Sequence, residues 1–281
     1  MMSTSDELLP AALRPGLVLQ GGYRPTRELG RGPGSIVYHA EDLPRQTEVA
    51  IKVIPASAEG RAALRREALK AWELAHEHVV AIRGCFETGQ ACCIVMDYVA
   101  GPDLATRARA APLTPDEAAA IGRGTALGLQ AAHRRGLLHR NVKPSNILIG
   151  SEVRARLTDF GVSGLTGREH APGRSDYLAP EVLAGQPADP RSDLYGLGLS
   201  LYVGLTGELP PRALPGRPPQ PVADGYRPSR LRSAIPDWLD DAVAIATAAL
   251  PADRFSSAGR LADALTPKTR RGVASVITVR V

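Results

Sequence analysis

The amino-acid sequence predicts an α+β fold in two lobes, a β-rich lobe followed by a helical one. Two observations carry that expectation. Between residues 23 and 97, short strand-like runs alternate with Gly- and Pro-containing turns, and one helical stretch interrupts them. Beyond Tyr98-Val99-Ala100-Gly101-Pro102 the composition turns helical, with Pro, Gly and capping residues placed as helix ends require.

Taken in order, residues 1–20 read as a polar lead containing Pro10 and Pro15. Strands are expected at 23–30, 35–41, 47–54, 79–87 and 91–97. Within 61–75, Ala62, Leu64, Ala68, Leu69 and Trp72 recur at the spacing of one helix face. Thr114-Pro115-Asp116-Glu117 is a helix start: Thr114 caps, Pro115 takes the first turn and Glu117 closes a capping box. That helix should run to Arg135 and stop at Gly136. Strand-like apolar runs are expected at 136–138, 147–149 and 154–158. Later helices are expected at 193–206 with Ser192 as cap, at 236–249 and at 257–265. Residues 210–228, rich in Pro, Gly and Arg, read as a surface loop, and 266–281 as a tail that is either an added edge strand or the start of further chain.

Charge and cysteine content narrow the function classes. The net charge of +5 comes from 34 Lys and Arg against 29 Asp and Glu, spread along the chain rather than gathered on one stretch. A nucleic-acid partner is therefore not expected. Only four of the cations are lysines, Lys52, Lys70, Lys143 and Lys268, which singles each of them out. Cys85, Cys92 and Cys93 form no Cys-x-x-Cys and no metal-ligand spacing, as expected of reduced thiols in a cytoplasmic protein. No run approaches the roughly 18 apolar residues that span a bilayer. No basic-then-apolar leader opens the chain. Membrane insertion is not expected.

Four stretches could carry chemistry. Leu29-Gly30-Arg31-Gly32-Pro33-Gly34-Ser35-Ile36-Val37 is a glycine-rich turn that could lie over phosphates, although such hairpins are common and no Walker Gly-Lys-Ser/Thr follows. Val49-Ala50-Ile51-Lys52 ends a strand on one of the rare lysines, and Glu67 on the helical stretch could pair with it; either could equally be a solvated surface residue. Asp159-Phe160-Gly161 offers a carboxylate at a strand end, a natural Mg²⁺ ligand and also an ordinary turn. Between two apolar runs lies the densest polar island, His139-Arg140-Asn141-Val142-Lys143-Pro144-Ser145-Asn146.

These stretches, with Ala179-Pro180-Glu181, Ser192-Asp193-Leu194-Tyr195-Gly196-Leu197-Gly198 and Asp253-Arg254-Phe255, occur in the order and at about the spacing of protein kinases. The chain resembles bacterial Ser/Thr kinases of eukaryotic type over 23–265. The resemblance implies a domain at 21–265, with an N-lobe at 21–97, a hinge at 98–102 and a C-lobe at 103–265. It implies ATP and Mg²⁺ as cofactors. Lys52 would contact the phosphates with Glu67 as its ion-pair partner, and Asn146 and Asp159 would hold Mg²⁺. Gly30, Gly32 and Ser35 would cover the phosphates. Leu29, Val37, Ala50 and Leu148 would sandwich adenine beside Met96, with Asp97 to Val99 as the hinge. Lys143 would sit beside the transferred phosphoryl group. His139, Arg140, Glu181, Asp193 and Arg254 would be structural, Glu181 pairing with Arg254 and Asp193 bracing the loop.

Three departures modify that picture. Asn141 stands where the family carries the aspartate that accepts the substrate's proton, and loss of a general base typically costs ~10²–10⁴ in rate. Arg174 replaces the usual activation-segment threonine, and Arg140 lacks an obvious phosphorylatable partner, leaving Thr166, Ser175 or the fixed anion Glu169. The expected function is a Mg-ATP-binding pseudokinase acting through an unidentified partner protein. The alternatives are a slow but active Ser/Thr protein kinase, and a kinase inactivated by an engineered Asp-to-Asn change.

Overall fold

Nine consecutive residues from Thr47 to Pro55 form the strand on which the first lobe is built, because Val49, Ile51 and Val53 alternate with Ala50 and Ile54 and both sets are buried. The structure, a computed structural model, describes residues 17–32, 34–160, 175–210 and 225–267. Strands β1 (Tyr23–Gly32), β2 (Ser35–Asp42), β3 (Thr47–Pro55), β4 (Ile82–Thr88) and β5 (Ala91–Asp97) make one antiparallel sheet in the order β1-β2-β3-β5-β4. One face packs Val49, Ile51, Val53, Cys93 and Val95 against Leu19 and Tyr23. The other packs Ala50, Ile54, Cys92, Ile94 and Met96 against Leu64 and Ala68 of α1 (Ala58–Trp72). Near-continuous apolar strands are what two covered faces require.

Two boundaries in this lobe differ from expectation. Helix α1 starts three residues earlier because Ser57 accepts the Gly60 N–H as N-cap. Strand β4 starts at Ile82 rather than 79, because Val79 and Val80 are drawn away to Leu157 in the second lobe, Val80 N donating to Leu157 O at 3.0 Å.

In the second lobe α2 (Leu104–Ala110) precedes α3 (Pro115–His133), whose Thr114–Glu117 capping box forms as expected. The short ladder β6 (Ile147–Ile149) with β7 (Ala155–Leu157) follows, then α4 (Pro180–Leu183), α5 (Pro190–Thr206), α6 (Asp237–Ala246) and α7 (Ala258–Ala264). Helix α5 is buried almost all round, from Ser192 to Leu205, so it is the central post against which α3, α6 and α7 pack. It begins at Pro190. Asp189 caps it, accepting from Arg191 N and Ser192 N, and the Ser192 hydroxyl accepts from Asp189 N in return. Ser192 is thus the third helical residue and not the cap. Residues 136–138, expected to be strand-like, form no strand; Gly136 turns there with φ of +71°. The lead through residue 16, most of the loop at 210–228 and the tail from residue 268 lie outside the described residues.

Candidate active site

Asp193, in the first turn of α5 and only 2% exposed, organises the polar island between the lobes. Its carboxylate accepts the N–H of His139 at 2.9 Å and of Arg140 at 2.8 Å, and His133 Nε2 lies 2.8 Å from Oδ2. This clamp holds Arg140 in the left-handed region, φ +62°, where a residue other than glycine sits only under constraint. His139 is buried. Burial pushes its imidazole below the ordinary value, outweighing the pull of Asp193, so the ring is neutral. Its Nε2 donates to Thr158 O at 2.8 Å and its Nδ1 accepts from Asn141 N at 3.2 Å, a pairing that selects one tautomer.

The same loop fixes the two residues expected to meet a metal. Asn146, 4% exposed, donates through Nδ2 to Asn141 O at 2.9 Å. Thr158 N donates to Asn146 O at 3.0 Å, tying the end of β7 to the loop. Asp159 follows with φ of +71°. Phe160 is buried edge-on against His139, ring centroids 4.6 Å apart. Asn141 is half-buried at the centre of this web, and its backbone is bonded on both sides.

Lys52 arrives from β3 on the face shared with Ala50 and Ile54, which aims it into the cleft. In this structure its partner is not the expected one. Its Nζ lies 2.6 Å from Asp159 Oδ2, whereas Glu67 pairs with Lys70 at 2.5 Å, one turn along α1. The physical reason is that Glu67 is engaged elsewhere: it pairs with Lys70 in a groove of about 870 Å³ that Arg135, Arg140 and Phe160 also line. With Glu67 committed to Lys70, the Lys52 ammonium takes the Asp159 carboxylate. Burial acts to raise the Asp159 carboxyl, but the Lys52 ammonium, with Lys143 beyond it, holds it below the usual carboxylate value.

Above the cleft, the β1–β2 hairpin pairs Gly30 with Val37 and Gly32 with Ser35. A side chain at Gly30 would meet nothing within 4 Å, so the bare backbone borders open space. Val37, Ala50, Met96, Val99 and Leu148 belong to a single apolar cluster, which does not include the exposed Leu29. Asp97 is committed to Arg83 at 2.6 Å and Arg156 at 3.1 Å. Farther down, Arg254 forms a two-pronged pair with Glu181, both N–O distances 2.8 Å. Thr166, Glu169 and Arg174 lie outside the described residues.

Sequence reasoning passes over His133 and Thr158, and gives Ser192 only the role of a helix cap. His133 meets Asp193 sixty residues away, and the Ser192 hydroxyl donates to Glu181 at 2.7 Å. A histidine ending a helix just before the polar island is the available signal for the first; nothing local marks the others.

A β-sheet lobe with a glycine-rich hairpin, joined to a helical lobe, with a strand lysine paired to an aspartate and a nearby asparagine held in a bonded loop, is the architecture of a phosphotransferase domain. The model of the protein kinase domain matches residues 23–218, more than half of the chain, and the chain belongs to that family. Serine/threonine-protein kinase PknD of Mycobacterium tuberculosis is 37% identical over 282 residues, covering 92% of this chain and 42% of PknD. PknH of the same species is 38% identical over 263 residues, covering 86% of this chain and 41% of PknH. The chain thus spans less than half the length of these relatives. Among solved structures, a point mutant of the M. tuberculosis PknI kinase domain superposes with a TM-score of 0.73 at 32% identity, covering 92% of this chain and 98% of that one. Rad53 1-466 in complex with AMP-PNP superposes with a TM-score of 0.71 at 26% identity, covering 84% and 62%. Among the described residues no helix is long and apolar enough to cross a membrane.

Proposed function

We propose that residues 21–265 form a Ser/Thr protein-kinase domain that binds Mg-ATP but transfers phosphate poorly, acting as a pseudokinase read by a partner protein. The observation that carries this reading is Asn141. The loop around it keeps its full bonding, to Asp193, Thr158 and Asn146, while the residue itself offers an amide where a carboxylate base is needed. An amide oxygen can orient a substrate hydroxyl. It cannot take the proton near neutral pH, and it lacks the charge that favours the developing cation.

The nucleotide side fits its ligand by donor chemistry. Asp159 and Asn146 present hard oxygens of the kind Mg²⁺ takes, and that ion usually completes its shell with water and phosphate rather than a protein cage. Mg²⁺ would bridge phosphate oxygens and offset their charge. Lys52 lies within reach of the same carboxylate and would turn to the phosphates once Asp159 is engaged. Glu67 would then replace Asp159 behind it by an inward movement of α1. That change couples nucleotide to the shape of the first lobe and gives a partner something to read.

The test is a melting curve with and without Mg-ATP, with radiolabel incorporation into the chain and a generic acceptor, for this chain and for Asn141→Asp. The expected result is a clear Mg-ATP-dependent rise in Tm with little incorporation, and a gain of ~10²-fold or more in Asn141→Asp. Absence of the Tm rise would refute nucleotide binding. Strong incorporation by the unaltered chain would refute the pseudokinase reading and leave an active kinase. Failure of Asn141→Asp to gain activity would refute Asn141 as the main impediment.

A further inference from the structure

We propose that Cys85 and Cys92 are a hydroperoxide-oxidisable dithiol, which closes to an intrachain disulfide and repositions α1. Two sulfurs meet across neighbouring strands: Cys85 on β4 and Cys92 on β5 hold their Sγ atoms 3.4 Å apart. Cys85 is only partly buried and so accessible to a small oxidant, whereas Cys92 is fully buried beneath it. A partly accessible attacking thiol beside a sheltered resolving thiol is the arrangement such chemistry needs. The third cysteine, Cys93, faces the opposite side of the sheet among Val95, Ile51 and Leu19, and burial pushes its thiol up to about 12. It is out of reach and unreactive.

The difference in exposure assigns the roles, and the electrostatics run the same way. The shared hydrogen bond draws Cys85 below the ordinary thiol value; burial and Glu87 oppose this and Arg65 of α1 assists it. The same bond, then burial, pushes Cys92 up. Cys85 therefore attacks as thiolate: its sulfur bonds to one peroxide oxygen, the O–O bond breaks and hydroxide leaves, giving a sulfenic acid. Cys92 then attacks the Cys85 sulfur, the S–O bond breaks, and water departs with the Cys92 proton. Two thiols lose two electrons in all, and one hydrogen peroxide is reduced to two waters.

The consequence for α1 follows from where the strands lie. A disulfide needs ~2.05 Å between sulfurs, so the two must close by roughly 1.4 Å. Strand β4 is the sheet edge and is paired on one side only, so it is the element able to move. It is tethered to α1 by Arg61–Glu87 at 2.7 Å, and Cys85 and Cys92 belong to the apolar cluster that seats Leu64 and Ala68 of α1. Drawing β4 inward therefore shifts the bed of the helix that carries Glu67. This inference does not require that the cleft bind nucleotide.

Titrating the full chain with hydrogen peroxide, blocking free thiols and mapping peptides tests it. The expected product links Cys85 to Cys92 within one chain, leaves Cys93 alkylatable after denaturation, and is reversed by dithiothreitol. In Cys92→Ser, Cys85 should instead be captured as a dimedone adduct, and Cys93→Ser should retain the linkage. Amide exchange across α1 should change several-fold on oxidation, relative to α5. Oxidation of Cys93 in preference to Cys85, links only between chains, or no adduct in Cys92→Ser would overturn the dithiol. An unchanged α1 exchange pattern in the disulfide form would overturn the repositioning. None of these readouts uses ATP, so failure of the nucleotide reading leaves them intact.

Discussion

Replacing Glu181 with glutamine should destabilise the helical lobe by about 3–4 kcal/mol, the range for breaking a buried ion pair. The magnitude follows from the surroundings of Arg254, whose side chain is fully buried while that of Glu181 is 9% exposed. Arg254 Nη1 and Nη2 each donate to Glu181 at 2.8 Å. The remaining donors reach Ala248 O, Ala249 O and Arg191 O at 2.8, 3.0 and 3.2 Å, and the guanidinium lies 4.8 Å from the Tyr195 ring centroid. Glutamine keeps the shape but turns an amide N–H₂ toward one guanidinium prong and removes the countercharge. Arg254→Met should cost a similar amount by orphaning the carboxylate, while Glu181→Gln with Arg254→Met should cost less than the two single changes summed. Burial acts to raise the Glu181 carboxyl, but Arg254 and Ser192 outweigh it and hold it below the ordinary value. The pair's stabilisation is therefore complete above a pH of ~4.3 and fades as pH falls through the lower folded value. Urea unfolding of the four proteins at neutral and acid pH measures all of this. Single-variant losses under ~1 kcal/mol, or strict additivity in the double variant, would refute the buried-pair account.

Two further outcomes follow from the cleft. Lys52→Met removes the cation that holds the Asp159 carboxyl down, so the variant should lose less stability than the unaltered chain as pH falls below ~3.9; parallel acid-range melting curves are the measurement, and identical slopes would count against the ion pair. Gly196→Ala should destabilise by ~1–3 kcal/mol, since a side chain there would come within 2.6 Å of Val142 O; an unchanged unfolding midpoint would show that α5 is free to retreat from the loop.

The strands and their order along the chain are legible in the sequence because β3 and β5 are apolar on both faces and their turns are marked by Gly and Pro. The Thr114 capping box is legible because its signal is local. Helix α2 is not, since seven residues hold too few apolar positions for a period to show. The start of α5 is ambiguous because Ser192 and Asp189 both satisfy the rule for a cap, and only the reciprocal bonding of the folded chain distinguishes them. The polar island can be read residue by residue, yet its organiser cannot: His133 and Asp193 are sixty residues apart and meet only through the packing of α3 on α5. The partner of Lys52 escapes the sequence for a related reason. Glu67 and Asp159 are both plausible partners by sequence order, and only the folded chain shows Glu67 taken by Lys70 and Asp159 by Lys52.

Arg140 and Asp159, the two residues with left-handed backbone that flank the cleft, bear on what substitutions the fold favours there. A glycine at either position would relieve a backbone penalty on the order of 1 kcal/mol or more. The chain instead carries a guanidinium and a carboxylate, and it holds their backbone in place with Asp193 in one case and Lys52 in the other. At these two positions the backbone is subordinate to the side chain. Slackening either restraint would let the local chain relax toward a more comfortable shape, so the cleft behaves as a sprung catch whose set position is maintained by buried charge.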